Sequence, residues 1–307
     1  APASFPAFLQ RETQVEKRAV FKSRWLPYAL IAPQLLITII FFFLPAGQAI
    51  HQSVLMEDPF GLAVEFVGLQ NFKDLFADPN YLSSFKITMV FSVLVAFLAM
   101  ALSLLFAVCA DRVVRGANAY KSFLIVPYAI APAVAGVLWM FIFNPTLGVV
   151  SYVLHALGID WNYMISSTDA MILIIIAAVW KQVSYNFIFF LAGLQAIPKS
   201  LLEAAAMDGA GPVRRFWTVV FPLLSPTTFF LLVMNVVYAF FDTFAIVDAT
   251  TQGGPGQDTN ILVYKVFVDG FRNMNFGGSA AQSVILMVMV IALTVVQFRF
   301  IERRVNY

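Results

Sequence analysis

Of the 307 residues, 61% are hydrophobic and only 12% charged. With a mean hydropathy of +0.83, the chain carries more apolar surface than one water-surrounded core can bury, which excludes a soluble enzyme. The net charge of +2 comes from 19 Lys and Arg scattered in small groups, not the dense basic patch that nucleic acid needs, and the single Cys109 permits neither an intrachain disulfide nor a cysteine cluster for metal.

A helix crosses the bilayer core with about 20 mostly apolar residues. In chain order such stretches run over 28–50, 87–110, 121–143, 170–194, 227–247 and 281–300, nearly half of the chain. They are continuously apolar and do not alternate, so they are not barrel strands. The expected fold is all-α: a polytopic membrane protein with six transmembrane helices between 28 and 300, flanked by tails at 1–27 and 301–307. The charges of the N-terminal tail precede a long span without a small-residue cleavage pattern, so this segment is expected to stay attached. Pro33, Pro45, Pro127, Pro132 and Pro226 lie in or beside spans, where they free backbone groups for neighbouring helices or water to satisfy. No internal three-helix repeat is evident.

Orientation follows from Lys and Arg, which concentrate in cytoplasmic loops. One set of segments holds Arg11, Lys17, Arg18, Lys22, Arg24, Arg112, Arg115, Lys121, Lys199, Arg214, Arg215, Arg299, Arg303 and Arg304. The opposite loops hold only Lys73, Lys86, Lys265 and Arg272 among many acids. Both termini are therefore expected in the cytoplasm.

Between the fourth and fifth spans lies a cytoplasmic loop, 195–225, that reads as two short helices. Ser200 with Glu203 three residues later fits a capping box, Ala204 to Ala206 favour helix, and Gly209 or Gly211 ends it. Pro212 suits the first turn of a second helix that presents Phe216 and Val220 on one side and closes at Pro222. Such an amphipathic pair lies either on the membrane surface or in a groove of a partner protein.

Inside the spans, an ionisable residue normally faces a cavity or a partner because burying it in lipid is costly. Lys181 lies about 16 Å along the fourth helix from Ala170, too deep to snorkel comfortably. Tyr185 shares its face, with Gln182 and Asn186 beside it. In the fifth helix Asn235, Tyr238 and Asp242 recur at helical spacing, with Thr243 adjacent. These two stripes could line one path, or Lys181 and Asp242 could simply pair. His51 and His155 sit near external loops, where solvation or packing suits them better than catalysis. An intramembrane hydrolase would need a nucleophile with a positioned base, and a secondary transporter more ion-coupling groups; neither pattern is present.

The run Glu203-Ala-Ala-Ala-Met-Asp-Gly-Ala210, followed by Phe216 and Phe221-Pro222, resembles the EAA loop of binding-protein-dependent ABC importer permeases. Phe66-Val-Gly-Leu-Gln-Asn-Phe72, Trp180-Lys181 with Leu191-Ala-Gly-Leu-Gln-Ala-Ile-Pro198, and Thr251-Gln-Gly-Gly-Pro255 resemble segments of the sugar-importer (maltose-type) branch. The runs Ser23-Arg-Trp-Leu-Pro-Tyr28, Tyr238-Ala-Phe-Phe-Asp-Thr-Phe244 and Ser279-Ala-Ala-Gln-Ser283 are similar to the A-type permeases of sn-glycerol-3-phosphate importers. The resemblance covers the chain from about Lys22 onward.

It implies a type I ABC importer permease fold and a non-enzymatic transport subunit in the bacterial inner membrane. The implied partners are a second homologous permease in a heterodimer, two ATPase subunits and a periplasmic solute-binding protein, within the lipid bilayer. The coupling residues would be Glu203, Ala204, Ala205, Asp208, Gly209 and Phe216, with Glu203 bonding a basic residue of the ATPase or capping its own helix. No cofactor or metal is expected on this chain. ATP and Mg belong to the ATPase, because the nearest approach to a phosphate loop, Gly116 to Ser122, is one residue short and has Tyr120 where the second glycine is required. By similarity, Tyr185 and Thr243 match sugar-holding positions. A phosphate monoester would want a cation and several donors, which Lys181, Tyr185, Asn235 and Tyr238 could supply. A neutral oligosaccharide or polyol is the alternative substrate.

Overall fold

A computed structural model describes residues 25–57, 63–112 and 116–301. The tail cations Arg11, Lys17, Arg18, Lys22, Arg24, Arg303 and Arg304, together with Arg115 and Asp58, lie outside the described residues. Among the described residues five helices are long and apolar enough to cross a membrane, or six when a bent pair is taken as one span. Two units divide the chain at Gln48. The first is the bulk of one apolar helix, α1 (Leu26–Gln52), which widens to a π-helical turn at Ile39–Phe43.

The second unit begins with a short hairpin. Strands β1 (Leu55–Glu57) and β2 (Val64–Phe66) form an antiparallel pair with Leu55 opposite Phe66, and the short helix α2 (Gln70–Ala77) follows. The segment Phe66–Phe72 earns its pattern physically: Gly68 takes a φ of +60°, and the buried Asn71 amide donates to the Ser53 and Leu55 carbonyls at 2.9 and 2.8 Å. A Cβ on Gly277, at the start of the last helix, would come within 2.2 Å of that same Leu55 carbonyl. Only glycine lets the last helix approach so closely.

Helix α3 (Pro79–Arg112) packs along the central helix α7 (Ser167–Ala196). Phe91, Val95 and Ala99 meet Ile174, Ala177, Ala178 and Val183 in one core cluster. Small residues bring the backbones near enough for Ser103 Oγ to donate across to the Val183 carbonyl at 3.1 Å, a typical adhesive between membrane helices. The outer faces stay apolar and exposed, with Val93 and Phe97 more than two-thirds accessible, as lipid contact requires.

The third span is not one helix. It divides into α4 (Ala117–Ala129) and α5 (Pro132–Ile142), which meet at 105°. The run 121–143 is continuously apolar, so composition predicts a single crossing; the break comes from Pro132, which cannot donate to Tyr128 and disfavours helical backbone at the residue before it. Beyond it, the short helix α6 (Val149–Ala156) leads into α7, and His155 packs there with Nε2 3.3 Å from the Trp161 carbonyl.

The loop 195–225 folds into α8 (Lys199–Met207) and a second helix, α9, over residues 212–223. The fifth span, α10 (Ser225–Asp242), ends in a π-helical turn at Tyr238–Asp242 and is followed by α11 (Phe244–Ala249). The segment holding α12 (Leu262–Phe267) then leads to the last span, α13 (Phe276–Val296). Within Thr251–Pro255, Gly253 has φ +82° and presses on the Tyr264 ring, leaving a Cβ only 3.1 Å. Thr259 Oγ1 closes the turn by donating to Gly254 O at 2.7 Å.

Candidate functional site

The two polar stripes on α7 and α10 face one another, but they divide into two sets. Lys181, Gln182, Tyr185, Tyr238 and Asp242 line a cavity of about 290 Å³, together with Tyr128, Pro132 and Met234. Asn186, Asn235 and Thr243 do not line it. Asn186 and Asn235 are wholly buried and bonded to each other twice, Nδ2 of each donating to Oδ1 of the other at 3.1 and 2.9 Å. Asn235 Nδ2 also donates to Leu231 O at 2.7 Å. Thr243 is buried, with Oγ1 donating to Ala239 O at 3.0 Å. The expected stripe assumed 3.6 residues per turn, whereas the π turn at Tyr238–Asp242 is wider. Met234, Tyr238 and Asp242, at four-residue spacing, therefore share the cavity wall, while Asn235 turns toward α7.

Lys181 reaches neither Asp242 nor an interface. Its ammonium donates to the carbonyls of Ile130 at 2.6 Å and Tyr128 at 3.3 Å, both at the break between α4 and α5, and sits 5.9 Å from the Tyr128 ring centre. Among the described residues no ion pair joins Lys181 to Asp242. Tyr238 is anchored by its hydroxyl to the Ala178 carbonyl at 3.1 Å, and Tyr185 stands between the rings of Tyr128 at 6.0 Å and Phe189 at 4.9 Å. The cavity thus offers one cation, one carboxylate, an amide and three phenols. Two larger grooves, of about 490 and 540 Å³, are lined almost wholly by apolar side chains and give a charged solute nothing to bond.

Tyr128 was not foreseen as a lining residue. It lies on the third span, where the sequence carries no intramembrane charge to draw attention, and the signal that could have found it is Pro132, four residues later.

In the loop between α7 and α10, α8 begins after Pro198 without any side-chain capping bond, which corrects the capping box expected of Ser200 and Glu203: the helix starts at Lys199, two residues too early for Ser200 to cap it. Glu203 is left exposed. Its C-terminus closes as expected at Gly209, φ +78°, with Ala210 N–H donating to Ala205 O and Gly209 N–H to Ala206 O, both at 3.0 Å. This is the Schellman arrangement, and Asp208-Gly209 are its turn. Pro212 opens α9 as expected, but the helix does not close at Pro222. It continues to Leu223, because a proline early in a short helical segment needs no N–H there.

Ala204, Asp208 and Gly209 are exposed with Glu203, while Ala205 and Phe216 are half-buried. Phe216 and Val220 line a groove of about 330 Å³ with Asp111, Leu202 and Arg215. Met207, Val213 and Trp217 stay open to the outside at 89%, 72% and 59%. Gly193 holds this loop to the membrane helices: a Cβ there would lie 2.8 Å from Leu224, so α7 and the start of α10 close behind the loop.

Residues 103–307, which hold the Lys181 cavity and the whole loop, match the family described as binding-protein-dependent transport system inner membrane component. The chain belongs to that family. It is an ABC importer permease of the inner membrane, a transport component and not an enzyme. This permease is 62% identical over 288 residues to the sn-glycerol-3-phosphate transport system permease protein UgpA of Agrobacterium fabrum, covering 94% of this chain and 98% of the relative. It is 59% identical over 290 residues to the protein of the same description from Pectobacterium atrosepticum, covering 94% and 98%. Among solved structures, it is similar to a chain of a bacterial ABC transporter involved in import of the acidic polysaccharide alginate, with a TM-score of 0.78 at 21% identity, covering 91% of this chain and 96% of that one. That likeness shows the fold.

Proposed function

We propose that this permease carries sn-glycerol-3-phosphate across the inner membrane, delivered by a periplasmic solute-binding protein and driven by ATP hydrolysed on separate subunits. The observation that carries the substrate class is the Lys181 ammonium in the wall of an intramembrane cavity, with Gln182 and Tyr185 beside it as hydrogen-bonding groups. A phosphate ester satisfies such a set with charge-assisted bonds; a neutral oligosaccharide would leave the cation without a counter-charge. Near-complete coverage by permeases described for sn-glycerol-3-phosphate supports the particular ester. Asp242, on the same cavity, repels a dianion, so glycerophosphodiesters with their single negative charge fit the same route.

The working assembly in this reading pairs the chain with a second homologous permease, two ATPase subunits that bind ATP and Mg, and the binding protein. Both termini face the cytoplasm, on the side of α8 and α9. The exposed Glu203, Ala204, Asp208 and Gly209, beside the apolar Met207, Val213 and Trp217, dock in a cleft of the ATPase. Apolar side chains this exposed at the loop's tip favour a protein groove over free solvent.

The test is ATPase stimulation of the reconstituted complex by sn-glycerol-3-phosphate, glycerol and maltose, each presented with the binding protein. Strong stimulation by sn-glycerol-3-phosphate alone is expected; stimulation by maltose in its place overturns the substrate. Glu203→Ala weakens ATPase association about tenfold, the scale of one charged hydrogen bond, without changing what the binding protein captures. Undiminished association would remove Glu203 from the docking surface.

A further inference from the structure

We propose that Lys181 is a positioning residue that ties occupancy of the cavity to the bend in the third span, an inference that rests on reading the cavity as the path of an anionic solute. The argument starts from Pro132. In an uninterrupted helix the Tyr128 carbonyl would accept from the N–H of residue 132, and proline has none. Ile130 is extended, with ψ at 132°, which takes its carbonyl out of the helical ladder as well. Backbone acceptors at membrane depth must find a donor, and here one side chain serves both, at 2.6 and 3.3 Å. A cation also suits the negative end of the α4 dipole.

The same ammonium borders the cavity, and it has three protons to place. Two go to the break, so the third is the one a solute can take. A phosphate oxygen is a stronger acceptor than an amide carbonyl, and an anion in the cavity draws Nζ away from Tyr128 and Ile130. The carbonyls so released favour a different bend.

Both halves of the span touch α7, where Trp139 of α5 meets Trp180 at 5.7 Å, but their remaining supports differ. Gly136 of α5 lies against α11, where a Cβ would sit 3.1 Å from Ile246 O and 3.2 Å from Ala249 Cβ. In α4, Tyr120 and Leu124 pack in the cluster that holds Phe187 and Leu191 of α7. A change of bend therefore shifts α4 along α7 relative to the seat that α5 shares with α11, and the bend in turn sets the affinity for the anion, since coupling is reciprocal.

The experiment uses the full complex in lipid nanodiscs, with Cys109→Ser and spin labels on cysteines replacing the exposed Phe123 of α4 and Phe141 of α5. Distances are measured with and without sn-glycerol-3-phosphate presented by the binding protein. The wild-type distribution shifts with solute. Lys181→Met, similar in length but uncharged, shifts it without solute and abolishes the further response, while Lys181→Arg retains the response. Pro132→Ala, which returns an N–H for Tyr128, moves the solute-free distribution of Lys181→Met back toward wild type.

A Lys181→Met complex with the wild-type distribution and a full solute response overturns the proposal. Should Lys181→Met fail to assemble, assembly of the double variant with Pro132→Ala supports the tie, and failure of both overturns it. A wild-type complex whose ATPase ignores sn-glycerol-3-phosphate refutes the substrate reading instead, and the distances are then taken with the anionic solute that does stimulate it.

Discussion

On the facing helices α7 and α10, Asn186 and Asn235 close on each other through two hydrogen bonds, whereas Lys181 and Asp242, one to two turns away, share a cavity without an ion pair. All four are polar residues at helical spacing in apolar spans. What separates them is satisfaction: an amide carries donor and acceptor together and two amides can saturate one another, while a lone ammonium and a carboxylate at this separation leave bonding capacity facing open space. In a membrane, the first arrangement holds helices together and the second is available to a solute.

The comparison can be broken at its open end first. Lys181→Ala should lower sn-glycerol-3-phosphate uptake by about tenfold to a hundredfold, the range for a lost charged hydrogen bond, and more than it lowers the ATPase activity of the assembly. Equal losses in uptake and ATPase would make the lysine structural only. At the closed end, Asn235→Leu strands the buried Asn186 amide and should destabilise the solubilised complex by about 2 kcal/mol, read as a lowered melting temperature. The double variant Asn186→Leu with Asn235→Leu should cost less than the sum of the singles. Additive losses would mean the two amides act independently. Asp242→Asn should raise apparent affinity for the dianion about threefold, through removal of a like charge screened by a high effective dielectric, with stability unchanged; a loss of affinity would place Asp242 among the solute's partners. Smallest of all in transport, Thr243→Val removes a buried hydroxyl bonded within its own helix and should leave uptake unchanged, at a stability cost of about 1 kcal/mol.

The spans were legible because apolar runs of the right length have one stable environment. The loop pattern was legible through Gly209 and Pro212, whose backbone demands are local. Direction was not: the run 121–143 reads as one crossing although it turns by 105°, since hydropathy reports the solvent and says nothing of the axis. Nor was phase. The widened turn at Tyr238–Asp242 leaves no mark in composition, and Thr243, just beyond it, is buried against its own helix while Tyr238 and Asp242 line the cavity. Ser200 reads as a cap for a related reason, because Pro198 starts α8 two residues earlier than a serine cap would. Lys181 stood out at once as a charge in lipid, yet its partners are backbone carbonyls, which no side-chain pattern encodes.

The staple at the external end has a consequence for biogenesis. Asn71 bonds the carbonyls of Ser53 and Leu55, and Gly277 lies against the second of these, so material made near the start of synthesis is completed by material made near its end. The early hairpin must wait in the translocon's vicinity, unfinished, until the sixth crossing emerges. A nascent chain halted before Gly277 should therefore expose its first extracytoplasmic loop to protease, and release of the final helix should shield it.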